Sequence, residues 1–299
     1  MGLATFIKQR PGLLALLPPR LRALTKLAPD SPASPDLPER TPSTQPAARL
    51  RVGLVTGCVQ RVFFGPVNHA TARVLAAEGC DVLAPASQGC CGALALHAGE
   101  REQARDFARR LIATFEQQPV DVIAINAAGC GSTMKEYGEL LADDPAWAAR
   151  AKAFAGNVRD VTEILASLPA TQTRHPLALR VAYHDACHLA HGQRVRQQPR
   201  DLLAAIPGVE VVPVGESDVC CGSAGIFNLV QPEMAASLGQ RKATHLAATG
   251  ADIVVTSNPG CMLQIRSSQT PAQARPVVHI VEVLDASIRG TDVASLTAR

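Results

Sequence analysis

Residues 88–93 read QGCCGA and residues 218–223 read DVCCGS. An adjacent cysteine pair closed by glycine occurs twice, and the surroundings of the two pairs match outward in both directions. On the N-terminal side an apolar run, LRVGLVTGC, ends at Cys58, and its counterpart, LRVAYHDAC, ends at Cys187. On the C-terminal side VDVIAINAAGC ends at Cys130 and ADIVVTSNPGC ends at Cys261. The offsets agree: 187 − 58 = 129, 221 − 91 = 130 and 261 − 130 = 131. Four cysteine positions with their flanking apolar runs hold register over that distance, which marks a duplicated unit rather than chance likeness.

The segments between the cysteines alternate in period. Residues 67–79, VNHATARVLAAEG, place Val67, Ala70, Val74 and Leu75 on one helical face and end at Gly79. A short strand, CDVLAPA, and a polar helix, GEREQARDFARRLIATFEQ, follow. The second copy repeats the order with a helix around Pro199 to Ile206, a strand VEVVPVG and a helix from about Pro232 to Thr249. Each copy closes with a helix, VRDVTEILASL in the first and VVHIVEVLDAS in the second. Strands alternating with helices predict an α/β fold: two tandem pseudo-repeated units with parallel sheets and helical crossovers, related by an approximate two-fold axis. The units are expected at 50–172 and 173–299. Residues 1–49 are expected to be a basic, Pro-rich segment and linker that packs little against the body, apart from a docking helix. There Leu13 to Leu27 reads as short basic helices broken at Pro18 and Pro19, and SPASPDLPERTPSTQP has no apolar period.

Composition narrows the function. Hydrophobic residues make up 47% and charged residues 18% of the 299 residues, enough apolar area for a core. The net charge is +3, aromatics are 3%, and no basic block carries interleaved aromatics, so nucleic acid is not an expected partner. No apolar run reaches the roughly 18 residues of a membrane span. The start, MGLATFIKQRPGLLALLPPRLRAL, lacks a small-residue cleavage site, so the expected location is cytoplasmic, at most peripheral to the inner membrane. No GxGxxG follows a strand, and neither GxxxxGK[ST] nor GxSxG occurs.

Nine cysteines in a chain without a secretion signal favour metal ligation over disulfides. Thiolates are soft donors that suit iron–sulfur clusters and zinc. In open α/β sheets the carboxyl ends of the strands build the site, and the cysteines fall there. Cys58, Cys90, Cys91 and Cys130 are therefore expected to converge as one metal site, and Cys187, Cys220, Cys221 and Cys261 as another. Neighbouring side chains on an extended backbone point apart, so an adjacent pair fits one tetrahedral zinc awkwardly and could reach different irons of a larger cluster. Cys80 has no counterpart and reads as a buried core residue. The second copy also carries His184, His188 and His191 in HDACHLAHG, for which lining the site or a helix start outranks direct ligation. His69 and His97 read as surface or packing residues, and Glu136, Tyr137, Asp143 and Asp144 receive no chemistry.

At the two CCG elements the chain resembles the cysteine-rich domain family, which includes the heterodisulfide reductase B subunit and lactate-utilisation iron–sulfur proteins. Within it the resemblance is to glycolate oxidase iron–sulfur subunits, carried by GCGSTMKEYGELL, AYHDACHLAHGQ, DVCCGSAGIFNLVQPEMA and NPGCMLQI over about residues 50–290. The resemblance implies an electron relay: a flavin subunit oxidises glycolate or a related 2-hydroxy acid, and this chain passes electrons onward, toward a quinone pool. It implies an iron–sulfur cluster of the 4Fe–4S type held by the eight paired cysteines, with zinc an alternative at one site. Expected partners are FAD-binding oxidase subunits. Many relatives end each unit in CxxC, where this chain has Thr133 and Gln264, and glycolate oxidase subunits begin with a ferredoxin-like domain that has no counterpart before Cys58. The expectation is a truncated chain or a separate ferredoxin-type polypeptide. Two other functions compete: thiol–disulfide or heterodisulfide chemistry at one cluster, and a structural zinc-binding assembly role.

Overall fold

The computed structural model describes residues 35–298, together with positions 6–7, 10–18, 21–22 and 25 near the N-terminus. The helical reading of Leu13 to Leu27 is met by a short helix at Pro11–Leu16 and otherwise lies largely outside the described residues, as does the start of the Pro-rich stretch.

Two sheets follow the duplication. The first runs in the order β1-β3-β2-β4-β5, with β1 at Arg40–Thr41, β2 at Leu50–Val55, β3 at Cys80–Leu83, β4 at Val122–Ile125 and β5 at Val158–Asp160. The second runs β7-β6-β8-β9, with β6 at Leu179–Tyr183, β7 at Val209–Val212, β8 at Ile253–Thr256 and β9 at Val277–His279. Without β1 the two orders are the same, and every pairing they share is parallel. Registers repeat too: Leu50 pairs with Cys80 and Leu179 with Val209; Ile123 pairs with Val158 and Val254 with Val277. The strands are almost wholly apolar because helices cover both faces of each sheet.

Two expectations change. The closing segments are not helical from their first residue: Val158–Asp160 and Val277–His279 are edge strands, and the helices begin at Val161 and Ile280. Asp160 and His279 each cap the following helix in a reciprocal capping box with Glu163 or Glu282, which ends the strand and starts the helix at one residue. Residues 35–49 also do more than link. Arg40–Thr41 pairs antiparallel with β3, Arg40 holds Asp81 at 2.8 Å, the Thr44 amide donates to the Ala76 carbonyl, and Leu37 packs on the core. An open sheet edge offers unpaired backbone groups that even a Pro-rich segment can satisfy over two residues.

The halves share one core. A single cluster of buried apolar residues runs from Val52 to Leu296 and includes both sheets; a second lies within the first half, around Leu111 and Tyr137. The joint is reciprocal. Helix Val161–Ser167, which closes the first half, packs on Gln197–Ala204 of the second, and Ile280–Arg289, which closes the second, packs on Gly65–Ala77 of the first. Val281, Val283 and Leu284 are fully buried there, worth about 1.5–3 kcal/mol each, so apolar burial supplies most of the adhesion. Arg73 fixes the register with two hydrogen bonds, 2.6 and 2.9 Å, to buried Asp285. Among the described residues no helix is long and apolar enough to cross a membrane.

Replacing Arg73 by Ala strands the Asp285 carboxylate with only Arg289 at 3.5 Å beside it. The expected loss is about 2 kcal/mol in denaturant unfolding. Asp285→Asn combined with Arg73→Ala should cost less than the sum of the two single changes. Additive losses would show that the pair does not couple the halves.

Candidate metal centre

Each cysteine set is assembled by the same three local devices. Cys58 follows β2 and opens helix Cys58–Phe63, while Cys187 follows β6 just ahead of a π-helical turn, His188–Gly192. Cys130 and Cys261 sit in the first turns of helices Ala128–Lys135 and Pro259–Ser268, which leave β4 and β8. The adjacent pairs lie in the loops after β3 and β7. The strand order turns back between β2 and β4 and between β6 and β8, so the crevice at the carboxyl ends opens where the thiols project.

Gly92 and Gly222 close the two pairs in left-handed conformations, φ 81° and 91°. That turn aims the amide of Gly92 at the Cys90 sulfur at 3.4 Å and the amide of Gly222 at the Cys220 sulfur at 3.3 Å. A Cβ on Gly222 would lie 2.4 Å from the Ala235 carbonyl oxygen, so only glycine fits.

The sulfurs form two matching chains. In the first, Cys58 and Cys90 are 3.3 Å apart, Cys90 meets Cys91, and Cys91 meets Cys130. In the second, Cys187 meets Cys220, Cys220 meets Cys221, and Cys221 meets Cys261. Both chains face one cavity of about 240 Å³ between the halves, lined by every paired cysteine except Cys220, which meets Cys187 and Cys221. Among the described residues no Asp, Glu, Lys or Arg lines it. Its donors are the thiols, the imidazoles of His97 and His188 and the neutral side chains of Gln60, Ser223, Asn228 and Asn258, a set without carboxylates that fits soft metals better than magnesium or calcium. Cys80 is fully buried in the core, away from the cavity.

The halves are stitched together at the rim of this cavity. The Ala128 amide donates to the Ser257 carbonyl at 3.1 Å, the Gly129 amide to Asn258 Oδ1 at 3.2 Å, and Gln193 Nε2 to the Ala128 carbonyl at 3.0 Å. His279 Nε2 meets the Asn126 carbonyl oxygen at 2.8 Å, and burial holds this imidazole down to a pKa of about 4, so it stays neutral.

The structure separates the histidines. Both ring nitrogens of His191 are engaged, with the Asp218 carbonyl and with Arg196. His188 Nδ1 lies 3.6 Å from the Cys187 sulfur, and its ring meets His97 edge-on at 5.2 Å between centroids. His97 is exposed and packs on His188, in keeping with a surface or packing residue, and it also lines the cavity, which the sequence does not signal. His184 is fully buried, and among the described residues its ring nitrogens meet no oxygen or nitrogen partner, only the Cys261 sulfur beside them. Tyr137, given no role from sequence, is fully buried and donates to the Cys91 carbonyl at 2.6 Å, tying the CCG loop to the core. Nothing in the spacing around Tyr137 signals that contact.

Without metal the thiols share protons. Cys58 is raised by its hydrogen bond to Cys90 and by burial, and Cys91 well raised by Cys130 and burial. In the second set Cys187 and Cys221 are raised through Cys220, while Cys220 is lowered by accepting from Cys187 and Cys221. Cys261 is lowered by Cys221, with His184 beside it. A raised thiol stabilises the fold below its unfolded value of 9.0 and loses that contribution as pH climbs toward the folded value. The lowered pair contributes fully above 9.0 and changes no further. The melting temperature of metal-free protein should therefore fall as pH rises above 9, and metal-loaded protein, whose thiolates are already ionised, should fall much less. Equal pH slopes for the two forms would show that the thiols are not protonated together.

Comparison with known proteins agrees with this arrangement. The family model described as "Cysteine-rich domain" matches residues 52–135 and again 181–266. The "Probable glycolate oxidase iron-sulfur subunit" of Bacillus subtilis strain 168 is 40% identical over 272 residues, covering 89% of this chain and 60% of its own length. "Lactate utilization protein A" of Shouchella clausii is 30% identical over 238 residues, 79% of this chain and 99% of its own. A fumarate reductase (CoM/CoB) subunit of Methanothermobacter marburgensis is 35% identical over 241 residues, 79% of this chain, but is matched over only 46% of its own length. The chain thus spans about half to three-fifths of two of these three relatives. A crystal structure of a hypothetical protein from Helicobacter pylori aligns with 93% of this chain and 54% of its own at a TM-score of 0.57 and 10% identity, a likeness of fold alone. With two matched units, two equivalent thiol sets and relatives aligned across both, the chain belongs to the cysteine-rich domain family.

Proposed function

We propose that this chain is an iron–sulfur electron-transfer subunit of a flavin-linked 2-hydroxy-acid oxidoreductase of the glycolate type. The observation that carries the reading is the pair of equivalent thiol chains on one charge-free cavity. A relay needs stations near each other and shielded from water, whereas a structural metal needs only one site. The names of the Bacillus subtilis and Shouchella clausii relatives support the iron–sulfur assignment and the substrate class.

In this reading Cys58, Cys90, Cys91 and Cys130 hold one cluster, and Cys187, Cys220, Cys221 and Cys261 hold the other, both of the 4Fe–4S type. Bound there, the clusters supply one-electron chemistry that side chains alone lack. The protein supplies the rest. The amides of Gly92 and Gly222 donate to Cys90 and Cys220, which lowers the electron density on those sulfurs. The lining is mostly apolar, and Tyr137 ties the first CCG loop to the core. Glycolate oxidation then takes place on FAD-binding partner subunits, with a ferredoxin-type module, in the same protein or on a separate polypeptide, completing the path on the cytoplasmic face of the membrane.

Anaerobically purified protein should contain iron and acid-labile sulfide with little zinc. In the reconstituted complex Cys220→Ser should remove or alter the second cluster and cut electron delivery to the terminal acceptor by more than tenfold. Reduction of the partner flavin by substrate should survive. A Cys220→Ser complex that delivers electrons at the normal rate, or an isolated chain that oxidises glycolate unaided, would sink the relay.

A further inference from the structure

The two thiol sets are equivalent in position but not in surroundings. The alignment that pairs Cys58 with Cys187 at an offset of 129 also pairs Val55, the last residue of β2, with His184, directly after β6. Both positions are fully buried. Val55 packs into the apolar cluster of the first half. His184 has no such companionship. Among the described residues its ring nitrogens have no oxygen or nitrogen partner; the Cys261 sulfur is the hydrogen-bonding group beside it, and a ring nitrogen together with the sulfurs of Cys221 and Cys261 forms a group whose members all lie within 4.8 Å of one another. A buried imidazole with at least one ring nitrogen unsatisfied costs free energy unless something reaches it. The thiols it faces are those of the second set.

A second buried polar residue separates the sites. Gly92 faces the Ala104 carbonyl and Gly222 the Ala235 carbonyl, so the following helices align at 235 − 104 = 131, which pairs Leu111 with Lys242. Lys242 is 2% exposed. Its ammonium donates to the carbonyls of Glu216 and Ser217, in the loop that leads into the second CCG element, and among the described residues no carboxylate forms a salt bridge to it. The nearby acids are held by other cations: Asp185 by Arg200, Glu216 by Arg241, and Asp218 by Arg196. The second site thus carries an imidazole and a cation where the first carries a valine and a leucine.

We propose that His184 is a nitrogen ligand of the metal centre built by the second thiol set, so that the two centres of this chain differ chemically and the second is the more easily reduced. Resting on the iron–sulfur reading above, the proposal adds a ligand to it. A metal bond gives one ring nitrogen the partner it lacks. Gln264, at the position where related chains carry a further cysteine, leaves the second set without that thiolate, and its side chain is turned to Asn228 and the Ala235 carbonyl instead. A neutral imidazole in place of a thiolate removes negative charge from a cluster and raises its potential. The Lys242 cation acts in the same direction. Electrons entering at the first set would then run downhill to the second.

The test uses the full chain purified without air from cells fed ¹⁵N-labelled histidine, with hyperfine EPR on the reduced protein and a redox titration. Wild-type protein should give two cluster signals, one with histidine-nitrogen coupling and the higher potential. Val in place of His184 (His184→Val) should abolish the coupling, with the second cluster lost or its potential lowered, while the first cluster's signal persists as the internal measure of folding. His184→Cys should keep two clusters, lose the nitrogen coupling and lower the second potential. His188→Ala should retain the coupling. Two clusters without any histidine coupling, coupling that survives His184→Val, or a second potential below the first would each overturn the proposal and leave the iron–sulfur reading standing. Wild-type protein without iron and sulfide would overturn both.

Discussion

The reciprocal packing of closing helices is the constraint on which the rest depends. Ile280–Arg289 lies on Gly65–Ala77, and Val161–Ser167 lies on Gln197–Ala204. Each half therefore completes its partner's core, and the carboxyl ends of both sheets are turned toward each other. The cavity exists only because of that exchange. Its rim is sealed by backbone and amide hydrogen bonds between Ala128, Gly129, Ser257 and Asn258, which sit immediately beside Cys130 and Cys261. Any loosening of the joint would move the last cysteine of each set.

Placing so many thiols around an apolar cavity has an electrostatic consequence. With no Asp, Glu, Lys or Arg on the lining among the described residues, ionised thiolates are met by one another, by a few amide donors and by His184 and His188. In metal-free protein Cys58, Cys91, Cys187 and Cys221 are held protonated, while Cys220 and Cys261 are held as thiolates by the hydrogen bonds they accept, and metal must displace the remaining protons to bind. Metal occupancy and fold stability are coupled for that reason.

Duplication followed by divergence accounts for the asymmetry of the sites. The positions that make the turns and project the thiols are matched in both halves: the left-handed glycines, the helix starts and the amide-to-sulfur hydrogen bonds. The positions that set the electrical environment have diverged, from Val55 to His184 and from Leu111 to Lys242. Geometry tolerates little change because a shift of one residue would re-aim a thiol. Charge can change behind the thiols without moving them.

The linear sequence determined the α/β class, the duplication and the eight thiol positions. Periodicity and spacing are local properties, and two copies of one pattern make each other legible. It also carried the parallel direction of the strands, since an alternation of strands and helices leaves few other connections. What only the tertiary structure decided lies between segments distant in the chain. The Arg40–Thr41 edge strand, the brief strands before Val161 and Ile280, and the burial of Tyr137 each depend on a neighbour that spacing does not reveal. So does the meeting of both thiol sets on one cavity, which the exchanged helices impose. The three histidines of HDACHLAHG look alike on paper. Folding sends His191 to Asp218 and Arg196, sets His188 against His97, and leaves His184 buried against the thiols, because burial and the direction of a side chain are properties of the packed chain and not of its spelling.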